Sequence, residues 1–133
     1  MKNLHLFILA FVIITGCKKE LVDTAANDIR DLNSLASLNS EIETGVSLVF
    51  YHASWCAVCK EQRPAVESLS KNKEAAFAKF CEMEFDDNKE AVRAKKVTGF
   101  PTLVVYKNGE EKQRFNGKGH TEEVLLKALK DNQ

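Results

Sequence analysis

The chain has 133 residues, room for one domain with a core of ordinary size. Its 19 lysines and arginines balance 19 aspartates and glutamates, so no basic field points to nucleic acid as a partner. Four cysteines, Cys17, Cys56, Cys59 and Cys81, are too few for a fold held mainly by disulfides.

The N-terminus opens with a cation, Lys2, and then an almost unbroken apolar run from Leu4 to Ile14. That run is shorter than the about 20 residues a membrane span needs, and it has the length of a secretory signal core. A buried N-terminal helix is the competing reading, weakened because no polar face interrupts the run. Ile14 to Cys17, "ITGC", resembles a bacterial lipobox. The resemblance implies removal of residues 1–16, diacylglycerol on the Cys17 sulfur and an acylated N-terminus. Residues 17–28 then read as the lipid anchor and a polar tether, and residues 29–133 as the domain.

Within the domain, Ile29, Leu32, Leu35, Ala36, Leu38 and Ile42 recur at helical spacing, with Gly45 suited to the C′ position that ends a helix. "VSLVFYHA", Val46 to Ala53, is apolar on both faces, the mark of a central strand covered on both sides. A helix is expected from about Cys56, with Ala65, Val66 and Leu69 at helical spacing. Cys81 to Phe85 alternates as a strand, and a polar, helix-prone connection follows. Asn108-Gly109 joins two strands in a hairpin. Thr121 can cap a closing helix whose first turn carries Glu122 and Glu123. The order α-β-α-β-α-β-β-α demands an early parallel pair and a late antiparallel hairpin: an α/β fold with a mixed central sheet flanked by helices on both faces.

"YHASWCAVCKEQRP" places Cys56 where the strand gives way to the helix. Unpaired backbone N–H groups and the helix dipole there stabilise a thiolate. Cys59, one turn inside, is expected to be less exposed and placed to attack a mixed disulfide held by Cys56. A structural staple is the first alternative, although bridging residues three apart closes so short a loop that little chain entropy is removed. Half of a zinc site is the second, but no further Cys-x-x-Cys or His-x-x-x-His completes four ligands. Cys81 shares a strand face with Met83 and Phe85 and reads as a buried, inert thiol.

"WCAVCK", with Pro64 five residues after Cys59, resembles the active site of the thioredoxin family. "VTGFPTLVVYKNGE" resembles the family's second signature, and "FNGKG" the glycine region before its last helix; the likeness covers Leu35 to Lys130. It implies a thioredoxin fold and a thiol–disulfide oxidoreductase with Cys56 as attacking thiol and Cys59 as resolving thiol. It also implies that Trp55 covers the pair, that Pro101 is cis, and that Phe100 offers backbone groups to an extended substrate segment. No cofactor is expected beyond the redox-active Cys56–Cys59 disulfide, and no metal.

There are three departures from the family pattern. Ala57 and Val58 between the cysteines look closer to the thioredoxin-like domain of membrane disulfide reductases, which leans towards reduction rather than oxidation or isomerisation. The family's buried aspartate is replaced by Phe50. Glu82 stands where the family places the partner lysine, so it is expected as a desolvated carboxyl of raised pKa, able to take the Cys59 proton; an edge-exposed or solvated Glu82 is the alternative. His52 replaces a common aromatic, either as a packed ring or as a group that stabilises the Cys56 thiolate or relays protons.

The expectation is therefore a monomeric, lipid-anchored, periplasm-facing enzyme. Its partners would be disulfide-containing or dithiol envelope proteins and a membrane electron donor or acceptor. A non-catalytic binding module is the reading from a different class, opposed by the intact Cys-x-x-Cys pair.

Overall fold

The computed structural model describes residues 28–133; the expected signal, Cys17 and the expected tether through residue 27 lie outside the described residues. Ile29 and Leu32, three apart as in a helix, pack instead on opposite sides of a sheet. The chain between them is extended: β1 (Arg30–Asp31) pairs in parallel with Cys81 and Glu82. The expected first helix is therefore shorter, α1 (Leu35–Ile42). Ser34 starts it through a capping box in which Ser34 Oγ accepts from Ser37 N and Ser37 Oγ accepts from Ser34 N. Gly45 takes the left-handed conformation, φ +73°, one position beyond the expected C′, since Glu43 is the C-cap.

β2 (Val46–His52) is the central strand, buried along nearly its whole length. After it come α2 (Ala57–Ser70), a 3-10 turn at Lys73–Ala75, β3 (Ala78–Glu84) and α3 (Lys89–Ala94). β4 (Thr102–Lys107) and β5 (Glu110–Asn116) form the hairpin, and α4 (Glu122–Asp131) closes the chain. Asn108 and Gly109 both have positive φ, 50° and 83°, which the tight two-residue turn requires. Thr121 Oγ1 accepts from Val124 N, the cap that its position suggests.

The sheet order is β1-β3-β2-β4-β5, with β1, β3 and β2 parallel and β4 and β5 antiparallel to their neighbours. Alternation along β2 divides the core. Leu48 and Phe50 point to one face and join Val66 and Leu69 of α2 and Leu125 and Leu129 of α4. Val49 and Tyr51 point to the other and join Leu38 and Ile42 of α1 and Val92 of α3. Helices therefore cover both faces, and the C-terminal end of β2 is left to present the segment that carries the cysteines. No helix among the described residues is long and apolar enough to cross a membrane.

Candidate active site

β2 ends at His52, and Ala53 O accepts from Cys56 N at 3.0 Å, a turn that delivers Cys56 to the N-cap of α2. Cys56 Sγ accepts from Cys59 N at 3.1 Å. A helix N-terminus leaves such donors without backbone partners, so sulfur occupies the place a serine or aspartate oxygen usually fills. The same N–H and the helix dipole favour negative charge on that sulfur once the pair is reduced. Cys56 and Cys59 are joined as a disulfide, their Cα atoms 5.3 Å apart. Both are buried, at 6% and 3% exposure, and Cys59 is the more enclosed, as its place one turn inside suggests.

Around the pair, Trp55 is 64% exposed. Its Nε1 donates to Asp86 Oδ2 at 2.8 Å, and its ring stands edge-on to Phe100 with centroids 6.2 Å apart. The Phe100–Pro101 peptide is cis. Phe100 leans on Phe85, Thr102 Oγ1 donates to Gly99 O, and Pro101 O accepts from Gly117 N, so the loop is tied to the β3 end and to β5. Glu84 Oε1 accepts from Ser54 N and its Oε2 from Asp87 N, which joins the cysteine loop to the loop after β3. These contacts hold the Trp55, Cys56 and Phe100 segments at one end of the sheet.

The other expected residues lie on the α2 side of the sheet. Phe50, at the family's aspartate position, is fully buried and packs in the same cluster as Cys56 and Cys59. His52 stacks on Phe50, ring centroids 5.1 Å apart and planes 24° apart. Glu82 is the register partner of Phe50 on β3, yet its carboxylate is not a desolvated acid turned into the core. Its Oε2 lies 3.3 Å from His52 Nε2 and 2.7 Å from Arg63 NH1. The contact with His52 lowers the Glu82 carboxyl below its ordinary 4.5, partial burial opposing this and Arg63 adding to it. The expected raised pKa is thus corrected. The cause is the pair of cationic or cation-forming neighbours that meet the carboxylate at the edge of the α2 face.

Arg63 escaped the sequence reading. It stands four residues after Cys59, on the same side of the helix, a spacing that would have flagged it. Gln62 escaped as well: it is buried, its Nε2 donates to His120 O and its Oε1 accepts from His120 N, fastening α2 to the loop before α4. Among the described residues no three or more His, Cys, Asp or Glu side chains are grouped so as to hold a metal ion.

Cys81 is buried on the face of Met83 and Val49, and burial pushes its thiol up to about 12. Thiolate is the reactive form, so Cys81 contributes almost none at neutral pH. In the reduced protein, alkylation at pH 7.5 is expected to label Cys56 and to reach Cys81 only after denaturant is added. Mass mapping of the labelled peptides checks this, and native labelling of Cys81 at the rate of Cys56 would contradict it.

The thioredoxin family model matches residues 31–131. A thioredoxin of Staphylococcus aureus is 34% identical over 97 residues, covering 71% of this chain and 92% of that protein. Among solved structures, Fasciola hepatica thioredoxin aligns with a TM-score of 0.69 at 32% identity, over 79% of this chain and all of that one. Malassezia sympodialis thioredoxin aligns with a TM-score of 0.72 at 20% identity, over 80% and 91% of the two chains, a likeness of fold.

Proposed function

The chain belongs to the thioredoxin family and is a thiol–disulfide oxidoreductase, and from that premise we propose that it reduces disulfides in proteins of the bacterial cell envelope while held to a membrane by lipid on Cys17. The observation that carries the chemistry is Cys56 Sγ at the N-terminus of α2, accepting the N–H of its own resolving partner. In the forward direction the Cys56 thiolate attacks one sulfur of a substrate disulfide, whose other sulfur leaves as a thiolate. The Cys59 thiolate then attacks Cys56 Sγ, the mixed disulfide breaks, and the second substrate thiolate departs. Two electrons pass from the dithiol to the substrate, and the Cys56–Cys59 disulfide is returned to the dithiol by a membrane electron donor. That pair is the only redox centre the reaction needs.

Reduction is favoured over oxidation by Ala57 and Val58. Neither supplies the extra charge or donor that stabilises the thiolate of strong oxidants, whose reduced form is the stable one. Trp55, Phe100 and Pro101 form the contact surface for an extended, weakly specified substrate segment. Measurement of the reduction potential against glutathione tests the direction. A value near about −270 mV fits a reductase, and one near about −120 mV overturns that direction.

The envelope reading is supported by Lys2, the Leu4–Ile14 run and the "ITGC" stretch. Asp28 shares a surface cleft with Arg30, Glu41, Lys79 and Phe80, at the start of β3, whereas the cysteines follow the end of the parallel strand β2. Asp28 therefore lies at the end of the sheet opposite the cysteine pair, which supports a reading in which the pair is open to soluble partners. The domain acts as a monomer in this scheme. Cys17→Ser is expected to abolish fatty-acid labelling and to leave the precursor uncleaved. Wild-type labelling and membrane partition in that variant would remove the lipid anchor.

A further inference from the structure

The buried Cys59 thiol must lose its proton before it can resolve a mixed disulfide, and the core position beside the pair is held by Phe50, which cannot accept one. Polar groups gather around that ring instead. The Arg63 guanidinium carbon lies 5.2 Å from the centroid of Phe50, and His52 stacks on the ring. Both reach the same atom, Glu82 Oε2, at 2.7 and 3.3 Å. Glu82 Oε2 and His52 Nε2 are shut off from solvent, and neither makes an aligned hydrogen bond despite these short contacts. A buried imidazole nitrogen left so beside a shared carboxylate is the kind of exception that calls for an explanation.

We propose that Arg63 is a positioning residue of the resolving step: it competes with His52 for Glu82, and so sets how readily His52 receives the Cys59 proton. The inference rests on the disulfide-exchange reading of the cysteine pair. The Cys59 S–H proton passes to neutral His52, giving an imidazolium whose counter-charge is Glu82. The Cys59 thiolate attacks Cys56 Sγ, the bond from Cys56 to the substrate sulfur breaks, and the departing thiolate takes its proton from solvent.

The charges that bear on His52 come from three elements. β3 supplies Glu82 and Glu84, the latter the register partner of His52. α2 supplies Arg63, whose second carboxylate, Glu67, lies 3.9 Å away. β1 supplies the exposed Asp31, at the register of Glu82. Glu82 favours the imidazolium, and Arg63 opposes it by drawing on the same oxygen. Removing either one therefore moves the pH dependence of resolution in opposite directions. A direct effect of the two charges on the Cys59 thiol would do the same, so the titration of the His52 ring itself is what separates the two routes.

The test uses the reduced 29–133 domain within the full mature chain and dithionitrobenzoate as the probe disulfide. The two phases of thionitrobenzoate release report attack by Cys56 and resolution by Cys59, each followed across pH 5 to 9 by stopped flow. In Arg63→Met the midpoint of the resolving phase is expected to rise by about one pH unit, and the rate below the midpoint to fall about tenfold. In Glu82→Gln the midpoint is expected to fall by a similar amount. Arg63→Lys should return it most of the way towards wild type, and Lys127→Gln, whose ion pair with Asp131 lies on α4, should leave it in place. A proton NMR titration of the His52 ring, assigned with His120→Gln, should shift in the same two directions in each variant. Midpoints that move together or not at all in Arg63→Met and Glu82→Gln, or a His52 titration that ignores both, would overturn the proposal. A wild-type protein that gives no second release of thionitrobenzoate would instead strike the exchange reading itself, and the inference with it.

Discussion

Reduced Cys59→Ser is expected to accumulate mixed disulfides through Cys56, Cys56→Ser to accumulate none, and both to lose turnover to background. The asymmetry follows from the place of each sulfur. Cys56 is the N-cap of α2, where the Cys59 N–H and the helix dipole stabilise its thiolate. Cys59 is one turn further in and more enclosed, so a substrate sulfur meets Cys56 first. With Ser at 59 the first exchange proceeds and stalls, because a hydroxyl is too weakly acidic and too poor a nucleophile to displace the substrate. With Ser at 56 the accessible thiolate is gone, and Cys59 lies where a substrate disulfide does not reach. Non-reducing gels of each variant after acid quench, with peptide mapping of the trapped species, measure this. Equal trapping by the two variants would undo the division of labour.

Leu48→Ala is expected to be the most damaging of the conservative core substitutions. Leu48 is fully buried at the middle of β2, between Phe80 of β3 and Val105 of β4, in the cluster shared with α2 and α4. Neighbours on both sides in the sheet and a helix layer above leave little freedom to collapse into the space. Truncations of this kind cost about 2–5 kcal/mol, a large share of the roughly 5–15 kcal/mol that holds a domain folded. At this size the melting temperature of the oxidised protein should fall by about 10 °C or more. Val124→Ala, at a position 46% exposed on α4, serves as the comparison and should stay within about 0.5 kcal/mol of wild type. Calorimetry on both variants decides it; a drop below about 4 °C for Leu48→Ala would mean that the layer repacks.

Much of the fold is local in origin and therefore legible in the chain. The Asn108-Gly109 turn, the Thr121 cap and the two-sided apolar strand Val46–His52 each depend on residues within a few positions of one another. The stretch before α1 is different. Ile29 and Leu32 carry a spacing that suits a helix, and only the edge of β3 at Cys81 and Glu82 makes the chain extended there. Such edge pairing is a long-range event that no local periodicity encodes.

The site divides along the same line. Cys56, Cys59 and the Phe100–Pro101 loop were marked by spacing and motif, because their chemistry depends on one helix terminus and one peptide bond. The state of Glu82 was not. A carboxyl on a strand can be a desolvated acid or an ionised counter-charge. What selects the second is Arg63 from α2 and His52 from β2 meeting one oxygen of β3. Electrostatic character is a property of distances between side chains on different elements, and those distances exist only once the helix lies on the sheet. The sequence by itself determined the cysteine pair, the hairpin, the last helix and the order of the main elements. The tertiary structure alone decided that the acid beside Phe50 is a carboxylate shared by Arg63 and His52, and that α2 contributes an arginine as well as the cysteines.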